Sequence, residues 1–226
     1  MFFIAFYTCD RNDQIKKIFK KIIIKLLLKN MRKIEFWYSI GSTYTYLSTQ
    51  RLVNVEKQSN VIFEWIPFSV RARMVEMENI PFMAEKKRHK IDYMWRDIER
   101  RAGFYGFNAK VPAPYPLKQF DLANKVAILG KKEGWIKDYT TLTYKKWFLD
   151  HEEPGSEPNL STTLKEIGLN AEETIKLAQT EEIEQNYLKN TEMAKNKGIF
   201  GSPSFVIDNE VFWGDDRCED AIKWLS

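Results

Sequence analysis

The sequence predicts a single α/β domain over residues 31–226, built in the order β-α-β, a long helical block, then β-β-α. Three observations predict it. Short runs rich in aromatic and aliphatic residues lie near both ends of this region, at 33–38 and 61–67 and again at 204–207 and 211–213. Between them, residues 69–196 carry apolar positions at helical spacing with no strand-like alternation. The 226 residues, 44% hydrophobic and 29% charged, suffice for one well-buried core and exclude a disordered or collagen-like chain.

The run 33–38 ends at Ser39-Ile40-Gly41-Ser42, a turn leading from a strand into a helix expected over 43–58. Ser42 is a natural N-cap for that helix, which sets Tyr46, Leu47, Leu52 and Val53 mostly on one face. The run 61–67 completes a β-α-β unit, whose two strands should be parallel because the helix carries the chain back across the sheet. The helical block is interrupted at Pro81, at the proline-rich stretch 111–116 and at Glu153-Pro154-Gly155. Asp208-Asn209 is a two-residue hairpin connection, and a helix over 216–225 closes the chain. This is the element order of a thioredoxin-like fold with helices inserted at about 69–196.

Charge and cysteine usage narrow the function classes. The net charge is +4, but residues 1–30 hold seven Lys or Arg against two Asp, leaving 28 basic and 29 acidic residues in 31–226. A near-neutral body argues against nucleic acid as a partner, since phosphate binding needs a basic face. Residues 14–30 interleave lysines with aliphatics as a basic amphipathic helix, too interrupted to span a membrane. The segment 1–30 lacks the order of a secretory signal and reads as an extension outside the core, with weak membrane-surface contact or packing as an extra helix as alternatives. Cys9 and Cys218 form neither a C-x-x-C nor a metal-ligand spacing, and with only His89 and His151 no zinc site is readable. So few cysteines suit the cytoplasm.

Two places could carry chemistry. Gly201-Ser202-Pro203 stands just before a strand, where a cis proline would aim the preceding N–H and C=O at a ligand. Ser42 stands where the positive end of a helix dipole stabilises an anion such as a thiolate. Other residues read more plainly. Asp215 and Asp216 suit the first turn of the last helix, Lys90 belongs to a basic run, His89 suits the surface, and Tyr93, Trp95, Phe104, Tyr105 and Phe107 suit a core or an aromatic pocket wall.

The stretches Ser42-Thr43-Tyr44-Thr45-Tyr46-Leu47, Tyr93-Met94-Trp95-Arg96-Asp97, Gly198-Ile199-Phe200-Gly201-Ser202-Pro203-Ser204-Phe205 and Phe212-Trp213-Gly214-Asp215-Asp216-Arg217 carry a resemblance. Together they resemble the 2-hydroxychromene-2-carboxylate isomerases and kappa-class glutathione transferases, a DsbA-like branch of the thioredoxin fold. The resemblance covers residues 31–226 and implies a glutathione-dependent enzyme, a homodimer, with glutathione and a small hydrophobic or aromatic electrophile as its ligands. It implies that Ser42, standing where redox relatives have their nucleophilic cysteine, hydrogen-bonds the glutathione sulfur, and that Thr45 stands at the second cysteine position. It further implies that Tyr44, Ser202, Pro203, Trp213, Gly214, Asp215 and Asp216 bind glutathione. Asn79, Lys90, Tyr93 and Asp97 would line the glutathione or substrate pocket. Thr43 stands where the family usually has proline, and Ser39 where an aspartate is common. The activity implied first is isomerisation by reversible thiolate addition to a conjugated aromatic acid. The alternatives are glutathione conjugation, or a non-catalytic binding or chaperone module.

Overall fold

The computed structural model describes residues 32–79 and 87–225, so the readings of residues 1–30 and of the break at Pro81 fall outside it. Strand β1 (Arg32–Tyr38) pairs in parallel with β2 (Val61–Pro67), and helix α1 (Thr45–Ser59) makes the crossover between them. Strands β3 (Ser204–Ile207) and β4 (Glu210–Trp213) add antiparallel, giving one sheet in the order β2-β1-β3-β4. The hairpin between β3 and β4 turns on Asp208 and Asn209, whose φ angles of 47° and 74° are the left-handed pair that a two-residue connection requires.

The end of strand β1, Phe36 to Tyr38, is buried on both faces, which explains why three aromatic residues follow one another there, whereas Arg32 and Lys33 at its start are exposed. Its side chains alternate between two packed layers. Ile34, Phe36 and Tyr38 enter the main core, whereas Trp37 enters a smaller cluster with Phe68 and Ile199. Aromatic contacts knit the sheet: the Phe36 ring stacks on Tyr38 and Phe205 at centroid separations of 5.1 and 5.4 Å and meets the Trp65 edge at 4.9 Å.

The region expected to be helical holds seven described helices: α2 (Val70–Glu76), α3 (Arg88–Phe104), α4 (Phe120–Glu133), α5 (Ile136–Leu149), α6 (Asn159–Glu166), α7 (Ala171–Ala178) and α8 (Glu181–Asn196). The breaks at 111–116 and 153–155 fall between α3 and α4 and between α5 and α6. Helix α9 (Cys218–Trp224) ends the chain.

Three local expectations are corrected. Helix α1 starts at Thr45 with Tyr44 at the N-cap position, so Ser42 is not its cap; the Ser42 hydroxyl is drawn to the Ser202 carbonyl instead. Val53 is 36% exposed, because it lies one step round the helix from the buried Leu52. The last helix begins two residues later than expected, after a 3-10 turn over Asp215–Arg217. Gly214 with φ of 115° bends the chain there, and the Asp215 carboxylate is pulled inward rather than left on a first helical turn.

The loop leaving β1 is fixed from below by Asn124 on α4. Its side chain accepts from the Ile40 amide at 2.8 Å and donates to the carbonyls of Ile40 and Phe120, each also at 2.8 Å, with no solvent exposure. Asn124→Ala would strand both backbone groups of Ile40 in a buried place. We expect a loss of about 2–4 kcal/mol of stability, measured by urea unfolding.

Candidate functional site

The sheet register builds the site. Because β3 runs antiparallel to β1 with Ser204 opposite Trp37, the turn before β3 meets the loop after β1. Ser42 and Gly201-Ser202-Pro203, far apart in sequence, therefore face each other. The Ser202–Pro203 bond is cis. The Ser42 hydroxyl donates to the Ser202 carbonyl at 2.5 Å, while the Ser202 hydroxyl accepts from the Ser39 amide at 2.9 Å and lies 2.9 Å from the Thr45 hydroxyl. Thus the positions of Ser42 and Thr45 close on one residue, Ser202.

The loop itself is held rigid. The Ser42 amide donates back to the Ser39 carbonyl at 3.0 Å. The buried Tyr144 hydroxyl lies 2.9 Å from the Ser39 carbonyl and 3.0 Å from the Ser42 carbonyl, sharing its one proton between them. Within the described residues, the amides of Thr43, Tyr44 and Thr45 donate to no backbone acceptor. They are the free N–H groups that give a helix start its affinity for anions. No histidine, lysine or carboxylate of the described residues hydrogen-bonds Ser42, so nothing is placed to deprotonate it as a covalent nucleophile.

The C-terminal motif closes over this turn. The Gly214 amide donates to the Pro203 carbonyl at 2.9 Å. Trp213, 55% exposed, lies against Gly201 and packs on Phe200 at 4.9 Å between ring centroids. A Cβ on residue 201 would come within 2.1 Å of the Trp213 indole nitrogen, which is why glycine stands there. The paired aspartates of the motif part company. Asp216 is exposed and pairs with Arg217 at 3.0 Å.

Asp215 is buried and fully engaged. Its Oδ1 accepts from Ser48 Oγ at 2.8 Å and Arg51 Nε at 3.0 Å, and its Oδ2 from Tyr105 OH at 2.9 Å and Arg101 Nη2 at 3.3 Å. Arg51 also grips Glu219 and lies over the Tyr105 ring at 4.4 Å. Burial, reinforced by Asp215, pushes the Tyr105 hydroxyl up to about 12. The structure thus gives Asp215 an internal ionic role that joins α1, α3 and the last turn. Sequence reading missed Arg51, Arg101 and Tyr105 as its partners. The available signal was Arg51 itself, a cation four residues after Leu47 on the buried face of a helix.

The four residues expected to line a pocket are only partly gathered. Asp97 accepts from the Tyr44 hydroxyl at 3.2 Å and pairs with Arg100, whose guanidinium lies over the Tyr93 ring at 5.5 Å. Lys90 is exposed on α3, and Asn79 is exposed after α2, its following Ile80-Pro81 outside the described residues. The cavity beside Ser42 is lined by other groups. It measures about 470 Å³ and is walled by Gly41, Met74, Met94, Trp95, Tyr115 and Phe120 among others. Of the aromatic residues singled out in sequence, only Trp95 lines it; Phe104 is 84% exposed. His89 is exposed, as expected.

A family model described as the DSBA-like thioredoxin domain matches residues 33–223. The chain belongs to that family. Among curated relatives it is 22% identical over 194 residues to a 2-hydroxychromene-2-carboxylate isomerase of Sphingobium xenophagum, covering 86% of this chain and 98% of that protein. A solved 2-hydroxychromene-2-carboxylate isomerase superposes with a TM-score of 0.75 at 20% identity, covering 85% and 95% of the two chains. The cytosolic disulfide reductase DsbM from Pseudomonas aeruginosa, solved with GSH, superposes with a TM-score of 0.59 at 12% identity over 85% and 96%. The resemblance read from the motifs is borne out, and so is the thioredoxin-like fold. Relatives named as isomerases support an enzyme at the level of the family. Among the described residues no helix is long and apolar enough to cross a membrane.

Two outcomes follow from the buried ionic group. Asp215→Ala would leave Arg51 buried without its partner, and we expect about 3–5 kcal/mol of destabilisation in denaturant unfolding, partly recovered when Arg51 is also replaced by an apolar residue. Burial pushes the Cys218 thiol up to about 12, opposed in part by Arg51. Iodoacetamide at pH 8 should therefore leave Cys218 unmodified in the native protein and label it only after unfolding, as read by peptide mass spectrometry.

Proposed function

We propose that the protein is a glutathione-dependent isomerase that acts by reversible thiolate addition to a conjugated aromatic acid. One observation carries this reading. The Ser42 hydroxyl, with no thiol partner at Thr45, faces the cis Ser202–Pro203 turn at a helix start, and the adjoining Gly41 lines a mostly apolar cavity. Such a site cannot form a C-x-x-C disulfide, but it suits a thiol brought by a ligand. The family likeness to named isomerases, and to a fold neighbour solved with GSH, supports the same reading.

In this proposal the peptide N–H of the incoming cysteinyl group takes the Ser202 carbonyl, and the Ser42 hydroxyl turns from that carbonyl to the sulfur. The free amides of Thr43 to Thr45 favour the same negative charge. A free thiol with pKa near 8.5 is only a few per cent ionised at neutral pH, and each unit of lowering corresponds to about 1.4 kcal/mol of thiolate stabilisation. The thiolate then adds to one carbon of a conjugated double bond, and the electron pair moves into the conjugated acid. Rotation about the resulting single bond and expulsion of the thiolate restore the double bond with altered geometry. Glutathione is regenerated, so no oxidant or reductant is consumed. Ser42 acts as an orienting donor throughout. A compartment that keeps thiols reduced, such as the cytoplasm, suits this chemistry.

Replacing Ser42 with alanine tests the proposal. Thiolate absorbance on mixing with glutathione should fall about tenfold at neutral pH, corresponding to roughly one unit of pKa, while the unfolding midpoint stays close to wild type. Unchanged thiolate formation would remove Ser42 from the mechanism, and an absence of glutathione binding to the wild type would remove the proposal itself.

A further inference from the structure

We infer that Arg71 is the anion anchor of the cavity beside Ser42 and selects a planar apolar acceptor that carries one carboxylate. Among the described residues Arg71 is the only formally charged one lining that cavity, whose other described walls are mostly aliphatic, aromatic or thioether groups with Tyr115 as the one hydroxyl. Its guanidinium lies over the Phe120 ring, 5.4 Å from the centroid, and Phe120 is itself a wall. A guanidinium placed over a ring keeps the N–H groups of its edge available, and that edge matches the two oxygens of a carboxylate.

The charge balance around Arg71 points the same way. Among the described residues, Arg51 and Arg101 hold Asp215, and Arg73, Arg88, Arg96, Arg100 and Arg217 each hold a carboxylate of their own. Arg32 holds the Leu225 carbonyl. Arg71 has no such partner among the described residues. Of the acids that share a neighbouring depression with it, Glu76 pairs with Arg73 and with Lys195, and Asp121 accepts from the Tyr187 hydroxyl at 3.0 Å and forms no ion pair with Arg71. Among the described residues, the cavity therefore offers one positive charge without an ion-pair partner against a mostly apolar wall.

Its position relates that charge to the reacting end. Gly41, bonded to Ser42, lines the cavity, and the Thr43 hydroxyl donates to the Met94 sulfur, which lines it too. An acceptor lying between these walls would have its anionic end at Arg71 and its conjugated carbons toward the thiol at Ser42. Only this last relation rests on the function proposed above; binding of the anion does not.

The probes are 2-naphthoate and its methyl ester, titrated calorimetrically into the intact protein without glutathione. Wild type should bind the acid about tenfold more tightly than the ester. Arg71→Met should abolish that preference while leaving the ester's affinity unchanged, and Arg71→Lys should retain part of it because the charge remains but the fork is lost. Arg71 is exposed, so both variants should keep the far-UV spectrum of the wild type; Arg71→Gln replaces the Met variant if it does not. Equal loss of acid and ester, a preference that survives in Arg71→Met, or no binding of the acid to wild type would each overturn the inference. Ser42→Ala should leave naphthoate binding unchanged, so a failure of the thiol chemistry and a failure of the anchor appear in different measurements.

Discussion

The antiparallel register that sets Ser204 opposite Trp37 is the constraint on which the site depends. It fixes where β3 starts relative to where β1 stops, and so places a turn near the end of the chain against a loop near the start of the domain. Short polar side chains then complete the contact. Ser202 can receive Ser39 and Thr45 through its hydroxyl, and Ser42 through its carbonyl, only because the strands behind them hold that alignment. The strands hold it because the end of β1 is buried on both faces: a slip of one residue would exchange Trp37 with Phe36 or Tyr38 between two differently shaped clusters.

A second tie works from the other side. Asp215 draws Arg51, Ser48, Arg101 and Tyr105 together, so the turn that follows β4 is anchored to α1 and α3. The same turn carries Gly214 onto the Pro203 carbonyl and follows the strand that sets Trp213 over Gly201. An ionic cluster in the interior is thus joined through a few backbone bonds to the surface where a ligand would sit.

Much of this was legible in the sequence, for identifiable reasons. The four strands and their order could be read because aromatic and β-branched runs stand out against helical spacing, and Asp208-Asn209 signals a hairpin. The cis Ser202–Pro203 turn could be suspected because it precedes a strand. The start of α1 was misplaced because Ser42 has two uses for its hydroxyl, and a tertiary acceptor outcompeted the local one. Asp215 was read from its position as a first-turn acid because a carboxylate near a helix start looks alike in sequence whether it faces solvent or an internal cluster of donors. The cavity walls at Met74, Tyr115 and Phe120 come from separate helices and loops, and no periodicity within one segment reveals that they meet.

The one cysteine among the described residues is buried, its thiol held protonated by that burial, and the groups that meet the Ser202 turn at Ser42 and Thr45 are hydroxyls, not thiols. Among the described residues the site therefore has no thiol, and so no disulfide redox state, of its own. On the proposed chemistry, its rate would follow the concentration of reduced thiol in the surroundings and would be indifferent to the ratio of thiol to disulfide. On that chemistry the site would respond only to supply.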